Sequence, residues 1–170
     1  AAVQAPTAVH EEPWAFAVTR IYTRPVTRLA ASQWMQKNIP GPINLRIETP
    51  SGVINQPISV PNDFTYPPDT AYPSPFNALA DGDVGSIFFA HILDTGHDPE
   101  NDSIKVTLSA DPSGLNVLAT GSITADFGKA ADARGDSQLI NLDRMATLKK
   151  GTQYWLIVHP DKAIRLSGST

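Results

Sequence analysis

The sequence predicts an all-β domain, an antiparallel β-sandwich of jelly-roll form, preceded by one short N-terminal amphipathic helix. Three observations predict it. Fifteen prolines and eleven glycines are spread through 170 residues, which suits many short strands joined by turns rather than long helices. Apolar and polar residues alternate in several short runs, the period of a strand with one buried face. Clusters of Asp, Pro, Ser and Gly separate those runs at the spacing expected of a sandwich.

Taken in order, residues 1–14 combine alanine, proline and the pair Glu11-Glu12 without any period, and read as a loose tail. Residues 15–42 read as an extended lead-in followed by a helix from about Val26 to Asn38. Val26, Leu29, Ala30 and Trp34 recur at three- and four-residue steps, giving one apolar stripe. Pro25 suits a first turn, where the missing N–H is not needed, and Pro40-Gly41-Pro42 stops the helix. The sandwich then occupies residues 43–170. Ile43, Leu45 and Ile47 alternate with Asn44, Arg46 and Glu48, and after a turn at Ser51-Gly52 the run Val53 to Val60 is the return strand. Further strands are expected at Ser86–Leu93, Ile104–Ala110, Asn116–Phe127 with a break or bulge near Gly121, Gln138–Leu142, Gln153–His159 and Ala163–Leu166. Two segments resist this scheme. Pro61 to Asp83 carries five prolines with Phe64, Tyr66, Tyr72 and Phe76 and reads as a long irregular connection; Thr95 to Ser103 reads as an acidic loop.

Composition narrows the function. A hydrophobic fraction of 41% with 18% charged residues excludes a disordered chain and a coiled coil. A net charge of −4 argues against a nucleic-acid partner held by phosphate neutralisation. No apolar run approaches the roughly 18 residues of a membrane span, and no signal-peptide pattern opens the chain, so no insertion into lipid is expected of this stretch. The absence of cysteine removes disulfides, thiolate metal sites and a cysteine nucleophile.

Four groups of residues could carry chemistry. Asp98, Glu100 and Asp102 alternate in the acidic loop, so their oxygens could converge on a calcium ion, a hard cation that takes six to eight such donors; the same pattern also suits a solvated turn. His91 and His97, beside Asp94 and Asp98, could hold a transition metal or serve a hydrolase, provided that their side chains converge. Arg134-Gly135-Asp136 spells a cell-adhesion tripeptide, but a glycine turn between strands explains it as well. Tyr66 and Tyr72 are the candidates for ligand binding. Rings held outside the core by neighbouring prolines could stack on sugar faces, whereas rings folded back would cover one mouth of the sandwich. No nucleophile elbow, phosphate loop or dinucleotide fingerprint is present, and no catalytic residues are assigned.

One stretch carries a resemblance. Ile21, Tyr22, Arg24, Pro25, Thr27, Arg28, Ala31, Ser32, Trp34 and the run Asn38-Ile39-Pro40 match a segment that follows a transmembrane helix in the large Chloroflexi and archaeal membrane proteins of the YYY type. Gly168-Ser169-Thr170 resembles the start of the segment that follows Asn-Ile-Pro in those proteins. The resemblance implies a multispanning parent, a glycosyltransferase of the C-type superfamily that uses lipid-linked sugars. It also implies that Gly41 to about Leu166 is a sandwich inserted in an extracytoplasmic loop. Leu148, Gly151, Tyr154 and Leu156 resemble the closing hairpin of galactose-binding-like jelly rolls, with no binding residue transferred. The function expected is that of a non-catalytic extracytoplasmic accessory module, carbohydrate-binding in one version. Its partners are then a glycan or the membrane part of its own parent. The alternative is a structural or protein-interaction sandwich without a small-molecule ligand.

Overall fold

The structure, a computed structural model, describes residues 41–61, 64–96 and 100–168, all within one compact unit spanning Gln36–Thr170. The tail, the lead-in and the predicted helix with Trp34 lie outside the described residues, as do His97 and Asp98. The described chain is all-β and antiparallel. Its strands are β1 (Ile43–Thr49), β2 (Gly52–Ile58), β3 (Thr65–Tyr66), β4 (Tyr72–Asn77), β5 (Gly82–Asp94), β6 (Asp102–Ser109), β7 (Val117–Ala125), β8 (Asp136–Leu148), β9 (Gln153–Pro160) and β10 (Ile164–Ser167). One turn of 3-10 helix, Phe127–Lys129, follows β7 and is capped by the Asp126 carboxylate, which accepts from the Gly128 N–H.

The strands follow one hydrogen-bonded path, β2-β1-β5-β8-β7-β6-β9-β4, which curls into two facing layers in the manner of a jelly roll. Alternation explains which face is dry. Ile43, Leu45 and Ile47 of β1 and Ile104, Val106 and Leu108 of β6 are fully buried, as their period-2 spacing requires. They meet Ile87 and Phe89 of β5, Ile140 of β8, and Leu156 and Val158 of β9 in one core. Asn44 departs from the expected wet face and is fully buried. Its amide is satisfied locally: Nδ2 donates to the Gly41 carbonyl at 2.6 Å, and Oδ1 accepts from Gly41 N–H and Asn55 Nδ2.

The proline-rich connection is the main correction to the expected fold. Tyr72-Pro73-Ser74-Pro75-Phe76 is a regular strand, with both prolines exposed and Ser74 and Phe76 buried. It pairs with β9 alone and ends the path, so its prolines sit on an edge, where the missing N–H leaves no ladder bond unmade. The irregularity expected near Gly121 falls three residues earlier in β7: Leu108 faces Ala119 and Ser109 faces Val117, so Leu118 is the extra residue. Gly121 is instead the point where β7 touches β8, because a Cβ would lie 2.7 Å from the Asn141 carbonyl oxygen.

Two seams close the curl. At the ends of the path, the buried Gln56 of β2 donates from Nε2 to the Asn77 carbonyl at 2.7 Å, and its Oε1 accepts from Leu79 N–H at 3.0 Å. At the β7–β8 corner the ladder is reduced to the single pair Gly121–Leu142. Side chains supply the remaining contacts there. Asp143 accepts from Thr120 N–H at 2.7 Å, and Arg144 donates to the carbonyls of Leu118 and Val117 at 2.6 and 3.2 Å.

Finally, β1 and β10 lie end to end along the same side of β5. β1 pairs with Asp83–Phe89 and β10 with His91–Asp94, and the Ala90 N–H between them donates to the Pro42 carbonyl at 3.0 Å. The chain therefore leaves β10 where it begins β1. A Cβ on Gly168 would stand 3.6 Å from Pro42 Cδ.

Candidate functional site

Tyr66 does not present a face to solvent. It is fully buried in β3, edge-on to Phe64 and to the half-buried Tyr72, with centroids 5.0 and 5.1 Å away and planes at 78° and 75°. Burial pushes its hydroxyl far above the ordinary phenol value. The three rings cap the core in the edge-to-face geometry that aromatic quadrupoles favour. The coplanar sugar platform expected of Tyr66 and Tyr72 is not formed, because Tyr66 alternates with the exposed Thr65 and its inward position fills the end of the core.

The acidic loop is organised around a lysine. Asp102, the first residue of β6, is fully buried, and its Oδ1 lies 3.0 Å from Lys162 Nζ in the β9–β10 turn; Glu100 lies 3.8 Å from the same ammonium. Burial raises the Asp102 carboxyl above its ordinary value, Lys162 opposes that shift, and the charge of nearby Asp94 adds to it. Asp94 is also buried and accepts from Gly96 N–H at 2.8 Å. Where the sequence suggested calcium, the described carboxylates gather on an ammonium. Among the described residues no three His, Asp or Glu side chains converge to hold a metal ion.

His91 Nδ1 lies 2.7 Å from the Gly135 carbonyl, so this imidazole is tied to a turn. In that turn Arg134 is clamped onto Asp132, with Nη2 2.8 Å from Oδ2, and holds the Asp132 carboxyl well below the usual range. Gly135 has φ +105°, and a Cβ there would collide with the carbonyl of Ile92. Asp136 begins β8 opposite Ile92. The Arg-Gly-Asp run is thus a strand-joining turn whose arginine is already paired.

A concave feature lies instead at the β7–β8 corner. A cleft of about 310 Å³ opens on the outer face where the ladder thins to one pair. Gly121 and Leu142 line it together with Thr120 and Ser122 from β7, Asn141 and Asp143 from β8, and Lys105 from β6. Lys105 is paired in register with Ser122 on one side and His159 on the other. Both Asp143 oxygens are engaged by Thr120, one by its N–H at 2.7 Å and one by its hydroxyl at 3.2 Å, which keeps the carboxylate ionised and lowers its pKa. Sequence reasoning missed this cleft. Its polar residues are ordinary strand positions, and only the thinning of one ladder makes a hollow beside them.

Compared with protein-family models, curated proteins and solved structures, the chain finds no significant match in any of the three.

Proposed function

We propose that this chain carries a non-catalytic accessory module, inserted in an extracytoplasmic loop of a multispanning membrane protein of the YYY glycosyltransferase type, which makes glycan contacts at its surface. The observation that carries this reading is the adjacency of the start of β1 and the end of β10 along β5. A domain whose ends are neighbours fits into a loop without moving the elements on either side, and such sites tolerate insertion best. The groups with most chemical promise have structural duties instead. Asp102 neutralises Lys162, His91 is tied to Gly135 and Tyr66 fills the core. No helix among the described residues is long and apolar enough to cross a membrane, so in this reading the anchoring spans belong to the parent.

The test has two arms. Residues 41–168 spliced through two-residue connections into a surface loop of an unrelated host should fold, with the melting temperature of the host preserved. A module that unfolds its host would reject the insert. The 170-residue chain titrated against a glycan panel at millimolar concentration should bind a subset, and silence across the panel would reject the glycan contact.

A second reading, a protein-interaction sandwich, is favoured by Leu115. It is 84% exposed at the tip of the β6–β7 loop. That loop is held rigid by the Asp111 carboxylate, which accepts from the N–H groups of Ser113, Leu115 and Asn116 and from the Ser113 hydroxyl. A preorganised apolar tip loses little entropy on docking.

A further inference from the structure

We infer that Asn101 is the attachment site of an N-linked glycan, transferred from a lipid-diphosphate-linked sugar. This goes beyond the accessory-module reading and rests on it for the compartment, since acceptors of this kind are met on the extracytoplasmic side.

Asn101-Asp102-Ser103 is an Asn-x-Ser acceptor triplet, and neither Asp102 nor the following Ile104 is a proline. No other asparagine of the chain has serine or threonine two positions on. The triplet straddles the start of β6. Asn101 stands just ahead of the first ladder pair, Asp102–Ala125, and is exposed. Its side-chain amide makes no hydrogen bond among the described residues. A bulky, solvated group can therefore stand on Asn101 without displacing any contact of the fold.

The other two residues are fixed once the domain has closed. Asp102 is buried against Lys162. Ser103 donates its N–H to Asp161 Oδ1 at 2.7 Å, and its hydroxyl lies 3.1 Å from Thr124 Oγ1. A transferase has to read the hydroxyl of the third residue, so transfer precedes these contacts. Chain order allows it. Thr124 and Asp161 follow Ser103 by 21 and 58 residues, so the triplet emerges during translocation before the partners that lock it. In the transfer, Asn101 Nδ2 bonds to the anomeric carbon of the donor sugar. The bond from that carbon to the diphosphate oxygen breaks, the lipid diphosphate leaves with the electron pair, and one amide proton passes to a base of the transferase. β6 then pairs with the glycan left outside.

The experiment expresses the 170-residue chain behind a cleavable signal peptide in a eukaryotic secretory host, whose transferase reads the same triplet. The secreted chain should run as a heavier species that peptide N-glycosidase returns to the bare mass, with the sugar on the peptide that holds Asn101. Asn101→Gln and Ser103→Ala should each abolish the shift, and Ser103→Thr should keep it. Asn101→Gln should also leave the circular dichroism spectrum unchanged, because it removes no contact. Lys150→Asn supplies a control triplet with Gly151 and Thr152 on an exposed turn. A bare Asn101 overturns the assignment, and the control says what else falls with it. Modification at position 150 in a folded, secreted chain leaves the extracytoplasmic module standing. A chain retained as an aggregate inside the host overturns that placement and the acceptor together.

Discussion

Lys162→Met is the perturbation that most directly probes how this fold tolerates its buried acids. In the wild type the ammonium lies 3.0 Å from Asp102, which is fully buried, and Asp94, equally buried, adds its charge to the same end of the sandwich. Methionine keeps the length and much of the volume of the side chain and removes the charge. Breaking a buried ion pair by deleting one partner costs about 3–5 kcal/mol, because the remaining charge is left in a poorly solvated place. The side chain of Lys162 is a quarter exposed, so water recovers part of that loss and the lower end, about 3 kcal/mol, is expected. At about 3 °C per kcal/mol for a domain of this size, the melting temperature falls by about 10 °C. The pH dependence carries the sign of the reasoning. The Asp102 carboxyl binds its proton more tightly in the folded than in the unfolded chain. Its contribution to stability is therefore greatest below the unfolded value and is lost as pH rises through the raised folded value. Removing Lys162 raises the folded value further. The deficit of the variant should be full above the raised folded value and shrink as pH falls through it, where a proton takes over from the ammonium. Urea unfolding followed by tryptophan fluorescence at pH 5, 6, 7 and 8 measures it. A loss under about 0.5 kcal/mol, the level of an ordinary surface change, or a loss independent of pH, would refute the argument.

Gly135→Ala should destabilise by about 2–5 kcal/mol, combining the cost of φ +105° with a collision against the Ile92 backbone; an unchanged denaturation midpoint would show that the turn can relax. Gln56→Leu should cost about 2–3 kcal/mol, because it strands the Asn77 carbonyl and the Leu79 N–H at the seam, and hydrogen exchange should accelerate in β2 and β4. Asp111, Asp126, Asp132 and Asp143 are all held below the usual carboxylate range by hydrogen bonds or cationic partners. Their stabilising effect is present above the unfolded pKa of about 3.9 and is lost as pH falls through the lowered values, so acid unfolding should steepen below about pH 4. Asp111→Asn should flatten that acid limb and loosen the loop that displays Leu115, measured by circular dichroism during acid titration.

The legible part of the fold was that carried by short-range alternation. Ile43-Asn44-Leu45-Arg46-Ile47 and Ile104-Lys105-Val106-Thr107-Leu108 read as strands and are strands. The same alternation was present in Tyr72-Pro73-Ser74-Pro75-Phe76, but proline is admissible only on an edge, and edge status depends on which strands pair. The strands β5 and β8 run longer than their apolar runs suggested, at 13 residues each. Each is supported along its length by partners from distant parts of the chain.

The candidate sites divide in the same way. That Arg134-Gly135-Asp136 marks a turn could be read from the glycine, whereas the pairing of Arg134 with Asp132 needed the turn's geometry. From sequence Tyr66 could be a sugar platform or, the commoner use of such a ring, a core plug; Phe64 and Tyr72 made it a plug.

What the sequence alone determined is the class of structure, the dry face of its cleanest strands and the places where the backbone must turn, since these depend on residues within a few positions of one another. The tertiary structure decided which acid meets Lys162, how Gln56 and Asp143 close the seams, and that Lys105, Ser122 and Asn141 share a hollow. Those outcomes depend on register between strands tens of residues apart, and a period of two is the same for every register a strand could adopt.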